Sequence, residues 1–172
     1  MRYNVIGGAD GPTSIFLAGK TGPDWINLFG LFVVVLLLIP NVIYAFKFRD
    51  RENKCKNKGM NILEQTGRYA SMFLMVYNIG IAEFGFSSVG AFLLYGFGNT
   101  CLLLAYWIVW MFYFHKQDFG KAMVLAVLPV CMFVLSGVTL GHVLLIISGV
   151  VFGIAHIYVT YQNAKERSIF RQ

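Results

Sequence analysis

Between Arg68 and His115 the chain runs for 46 residues with Glu83 as its only charged side chain. A helix needs ~20 mostly apolar residues to cross the ~30 Å of hydrocarbon in a bilayer, so this stretch holds two crossings. They divide at GFSSVG, where small and polar residues interrupt the apolar run. The same rule gives a crossing at Trp25–Phe46, closed by the basic cluster that starts at Lys47. Beyond HKQDFGK, the stretch from Ala122 to His142 and the one from there to about Tyr161 are separated by an uncharged turn around Thr139, Gly141 and His142. The expectation is an all-α polytopic integral membrane protein with five transmembrane helices: Trp25–Phe46, Tyr69 to about Ser87, Val89–Phe114, Ala122–His142 and His142 to about Tyr161. Composition agrees: 58% of residues are hydrophobic and 13% charged, against about a quarter charged in soluble domains. A soluble enzyme and a disordered chain are both excluded, and three cysteines make no disulfide framework.

Basic loops stay on the cytoplasmic side. With the N-terminus outside and the C-terminus inside, twelve of the fourteen Lys and Arg residues fall on inner segments, and only Arg2 and Lys20 fall outside. The densest group lies in a cytoplasmic loop at about residues 47–68, although MNILEQTG can begin the second helix early. Residues 1–24 form an extracytoplasmic or re-entrant segment before a membrane domain at 25–172. They lack the uninterrupted apolar run of a secretory signal. The net charge of +6 is then a topology signal facing anionic headgroups, and no nucleic acid is needed to explain it. Tyr44, Trp107, Trp110, Tyr113, Tyr158 and Tyr161 sit toward the inner ends, with Trp25 at the outer end of the first span, as interfacial anchors. The expected setting is the bacterial cytoplasmic membrane.

Few polar side chains lie inside the spans. Glu83 is the one acidic residue there, Asn78 and Asn99 lie deeper, and all three are candidate intramembrane polar sites. Pro40 and Pro129 each remove a backbone hydrogen bond within a span. Gly149 and Gly153 form a G-x-x-x-G suited to close helix packing. His142 and His156 share a helix face but stand about 21 Å apart along the axis, so they cannot hold one ion; His115 and His156 are a weakly supported haem pair. Cys55 falls in the inner loop and Cys101 and Cys131 in spans, without C-x-x-C. Phosphate-loop, H-E-x-x-H and G-x-S-x-G patterns are absent. No organic cofactor is expected.

The segment VIGGADGPTSIFLAGK, Val5 to Lys20, differs from the rest. Gly7 and Gly8 permit close backbone approach, Asp10-Gly11 is a turn pair, and Pro12 suits the first turn of a short helix. A carboxylate on Asp10, hydroxyls on Thr13 and Ser14 and inward-turned carbonyls are hard oxygen ligands suited to Na⁺. A capped extracellular turn is the alternative from the residues alone.

IGGADGPTSIFLAGK closely resembles a signature segment of the beta subunit of sodium-translocating decarboxylases, the oxaloacetate, methylmalonyl-CoA and glutaconyl-CoA enzymes. That resemblance spans about 16 of the 172 residues. It implies Na⁺ binding at Asp10, with Gly7, Gly8, Gly11, Pro12 and Thr13 shaping the site, and membrane or decarboxylase subunits as partners. It also implies that the chain is not an enzyme alone but at most a membrane subunit of a Na⁺-pumping decarboxylase. The alternative is a small non-catalytic accessory or assembly protein whose one certain partner is the lipid bilayer.

Overall fold

A computed structural model describes residues 25–49, 53–79 and 85–169. The described residues form five helices: α1 Leu28–Lys47, α2 Lys58–Val76, α3 Val89–His115, α4 Phe119–Leu140 and α5 Val143–Ile169. Three of the starts carry a side-chain cap. Asn27, Asn57 and Ser88 accept the amide hydrogens of Gly30, Met60 and Ala91, capping α1, α2 and α3. Gly141 ends α4 in the left-handed region at φ 65°, and His142 N–H donates back to the Gly137 carbonyl. This is the closing turn that glycine makes at a helix C-terminus.

The helices form a ring. α4 packs on α3 and α5, α5 on α2, and α1 closes the circuit against α2 and α3. Short connections make successive helices antiparallel. The start of α1 is joined to the end of α2 by an antiparallel bridge, with Asn27 N–H on the Val76 carbonyl at 2.7 Å and Asn78 N–H on the Trp25 carbonyl at 2.9 Å. Asn27 Nδ2 also donates to the Tyr95 hydroxyl at 2.7 Å.

Four helices are long and apolar enough to cross a membrane: Leu28–Lys47, Val89–His115, Phe119–Leu140 and Val143–Glu166. Polarity is distributed as a bilayer demands. Phe32, Phe46, Phe97 and Met111 point outward, whereas Glu64, Ser71, Asn99, Ser136 and Thr139 are buried. Apolar side chains on the ring's outside meet lipid tails at no cost, and polar ones find partners only within it.

The second helix departs from expectation. The sequence places it at Tyr69 to about Ser87, yet α2 runs Lys58–Val76 and the chain leaves the helix at Tyr77 for the bridge to α1. The segment expected as loop thus contributes three turns of helix. The reason is that part of its polar side faces into the ring: Glu64 is buried and paired, and Gly67 and Ser71 lie against α5, while Lys58, Gln65 and Thr66 stay exposed. Outward, α2 shows Ile62, Leu63, Tyr69 and Phe73.

The aromatic anchors divide. Trp107, Tyr158 and Tyr161 are exposed, but Trp110 and Tyr113 are buried and stack with Tyr44 at ring separations of 5.3 and 5.9 Å. Pro40 cannot donate to the Leu36 carbonyl, and the Trp107 indole N–H takes that acceptor instead at 3.2 Å. On α5, a Cβ at Gly153 would lie 2.6 Å from a Val130 methyl and one at Gly149 3.3 Å from Phe133 Cβ, both on α4.

Candidate functional site

One end of the ring collects Lys47, Arg49, Lys54, Lys56, Lys58, Lys116, Lys121 and Lys165; at the other end the described residues carry no Lys or Arg. In the basic half the five helices enclose a cavity of about 340 Å³, within the range of small-molecule sites. Its apolar walls include Leu37, Met72, Leu125 and Phe133.

The polar wall is built where α2 crosses α5. Gly67 brings the backbones together: a Cβ there would stand 2.9 Å from Phe152 Cα. Ser71 Oγ donates to Ser148 Oγ at 3.2 Å one turn further on. Glu64, Gly67, Arg68 and Ser71 recur at three- and four-residue spacing, so one face of α2 carries them all. At this close approach Glu64 Oε1 accepts from both the Arg68 guanidinium and His156 Nδ1, the latter at 2.9 Å. A carboxylate only accepts, so His156 carries its proton on Nδ1 and turns Nε2 outward from the pair. The imidazole stacks on Phe152 at 4.7 Å, and Arg68 lies over the same ring at 6.0 Å. Arg68 and His156 line the cavity; Glu64 stands behind them.

Across the cavity Asn41 Nδ2 donates to the Tyr106 hydroxyl at 2.7 Å and to the Leu37 carbonyl at 2.8 Å. At the rim, Asn163 straps the α1–α2 connection to α5. Its Oδ1 accepts Lys54 N–H at 2.7 Å, and its Nδ2 donates to Asn53 Oδ1 at 3.0 Å.

The residues singled out in the sequence lie elsewhere. Gly7, Gly8, Asp10, Gly11, Pro12, Thr13, Ser14 and Glu83 fall outside the described residues. Asn99 is fully buried, donates to the Tyr95 carbonyl and accepts from Ser136 Oγ on α4. Asn78 belongs to the bridge beyond α2, away from the cavity. His156 lines the cavity and is held by Glu64 through Nδ1. Cys55 is in the connection as expected but buried, while Cys101 and Cys131 face outward. Among the described residues no three His, Cys, Asp or Glu side chains stand together as a metal site.

Glu64 and Arg68 were missed because they fell in the stretch expected as loop. Their signal was present: an acid and a base four apart, interleaved with Gly67 and Ser71 on one face. No protein family, curated protein or solved structure matches the chain.

Proposed function

We propose that this chain is a multi-pass membrane protein whose working part is the cavity in its basic half, a binding site for a small molecule reached from that side. The observation that carries the reading is the Glu64–Arg68–His156 cluster on the wall of a cavity lined by all five helices. Charges inside a membrane are costly and are kept where they serve a ligand or a proton.

In this reading α2 is the fifth crossing, its polar face turned into the ring and its apolar face to lipid. The basic end is cytoplasmic, so the first helix starts outside and the last ends inside, in the bacterial cytoplasmic membrane. Gly149 and Gly153 serve packing of α4 on α5 within the chain. A cysteine replacing solvent-exposed Lys116, in a background without Cys55, Cys101 and Cys131, tests orientation. A membrane-impermeant maleimide labels it in inverted vesicles only; labelling in intact cells reverses the topology.

The cavity is tested by Thr160→Cys on its α5 wall. A charged, water-soluble thiol reagent modifies this position in the folded protein if the cavity is an open site. Modification only after unfolding would make it a packing void.

A second reading rests on the segment Val5–Lys20. In it the chain is a Na⁺-linked component resembling the decarboxylase beta subunit, with Asp10, Thr13 and Ser14 as Na⁺ ligands and other subunits as partners. Its test is a thermal midpoint raised by NaCl over equal KCl in wild type but not in Asp10→Asn, since selective binding to the folded state raises stability. Equal midpoints in the two salts would leave the accessory reading.

A further inference from the structure

The polar side chains on the cavity wall are rich in donors. Arg68 has five N–H groups, and among the described residues its one ion pair is through Nη2 to Glu64. The Tyr106 oxygen already accepts from Asn41, leaving its own O–H to give. Thr160 adds a hydroxyl, and His156 presents Nε2, which donates once it takes a proton. The nearest carboxylate, Glu64, does not line the cavity and is covered by the two groups that do. A wall of donors beside a guanidinium selects a ligand with acceptor oxygens and negative charge.

Charge balance then decides how that ligand enters. Glu64 neutralises Arg68, so an anion arriving alone leaves one uncompensated negative charge among apolar walls, which a low-dielectric site opposes. His156 Nε2 can take a proton while Nδ1 stays on Glu64. Guanidinium, carboxylate, imidazolium and ligand anion then sum to zero. The other ionisable groups on the cavity wall are the phenols of Tyr44, Tyr106 and Tyr113 from α1 and α3; the wall carries no further Lys, Arg, His, Asp or Glu, and α4 contributes no ionisable side chain to it. A dianion such as sulfate would leave one charge unmatched.

Resting on the cavity reading above, we infer that the site takes a small amphipathic monocarboxylate together with one proton, the carboxylate on Arg68 and the proton on His156. The apolar remainder lies among Leu37, Leu38, Met72, Leu125, Pro129 and Phe133. At about 340 Å³ the cavity lies at the small end of the range for ligand sites, which suits a compact acid.

Benzoate is the probe, with benzyl alcohol as its uncharged counterpart, sulfate as the dianion and oleate as the lipid-derived acid. Titration calorimetry on the full chain in nanodiscs, in two buffers of different ionisation enthalpy, counts protons. Expected are benzoate binding at least tenfold tighter than benzyl alcohol, sulfate or oleate, and uptake of up to one proton per benzoate. Affinity should rise as pH falls, by up to tenfold per unit. His156→Gln should keep a weakened benzoate site and lose the proton uptake. Arg68→Lys keeps the charge and the fold and should lose at least tenfold through its single point of contact.

Benzyl alcohol binding as tightly as benzoate, or benzoate binding without proton uptake, overturns the inference and leaves the cavity reading intact. So does the absence of any benzoate binding in a protein whose Thr160→Cys variant reacts. An unreactive Thr160→Cys variant overturns the cavity reading itself. Oleate binding tighter than benzoate overturns the assignment to a small free acid.

Discussion

At the uncharged end of the ring, backbone pairs with backbone and neutral groups fill the interior: the Ile26–Tyr77 bridge, Asn27 on Tyr95, Asn99 between Tyr95 and Ser136. At the basic end an ion pair and an imidazole share one carboxylate oxygen beside empty volume. The first arrangement satisfies every group it names with a partner of fixed geometry. In the second, Arg68 and His156 keep hydrogen-bonding capacity to spare and face a space.

The largest effect should come from unbalancing the charged end. Arg68→Met leaves Glu64 in the interior with His156 as its one remaining partner, and because the Arg68 side chain is partly exposed the loss should lie at the low end for a buried pair, about 3 kcal/mol. Replacing both, in Glu64→Gln with Arg68→Met, should recover most of that loss. Denaturant unfolding of the purified protein in one detergent checks it. A single variant as stable as wild type would mean that Glu64 is hydrated and that the two ends differ less than their geometry implies.

Next in size is the crossing that assembles the cluster. Gly67→Val forces α2 from α5 against Phe152 backbone, and overpacking of this kind costs about 1–3 kcal/mol. Gly120→Ala, where nothing lies within 4 Å of the added carbon, should leave the thermal midpoint unchanged or higher. Equal effects at the two positions would deny that Gly67 is a contact point. At the uncharged end, Tyr95→Phe removes one neutral hydrogen bond from Asn27, a loss of about 1 kcal/mol, read as a smaller midpoint shift in the same assay.

How far this was legible from the chain depends on where each residue finds its partner. α1, α3, α4 and α5 could be read because apolar runs bounded by Lys47, His115 and the HKQDFGK bridge need no partner to be recognised. α2 was legible only through the alternative that MNILEQTG begins the helix early, because counting charges along a line treats Arg68 as a solvated residue, and His156, which holds Glu64, is 92 residues from it. The same holds for Trp110 and Tyr113: their position near a span's end suggests the membrane interface, and only the ring shows that they turn inward to Tyr44. Asn99 was read as an amide that bonds between helices, and it bonds to Ser136 on α4. The segment around Asp10, the most specific string in the sequence, lies outside the described residues, and so does Glu83.

The smallest expected effect sharpens the contrast from the uncharged side, where a histidine serves as a neutral group. His142 lies between α4 and α5, is buried, and accepts the Leu145 amide hydrogen on Nδ1 at 3.3 Å, capping α5. Burial pushes its pKa below the usual value, against the opposing pull of the hydrogen bond with the Tyr77 backbone. The unfolded chain therefore binds a proton at His142 more readily than the folded one. Stability is at its full value above the ordinary histidine pKa of ~6.5 and is lost progressively as pH falls from there toward the lower folded value. Protonation also removes the lone pair that caps α5, which limits the loss to about the worth of a helix cap, ~1 kcal/mol. Wild type should lose thermal stability between pH 7 and pH 5. His142→Asn, which caps without titrating, should lose less over the same interval. Parallel curves for the two proteins would assign the acid sensitivity to His156 at the charged end and make His142 a packing residue alone.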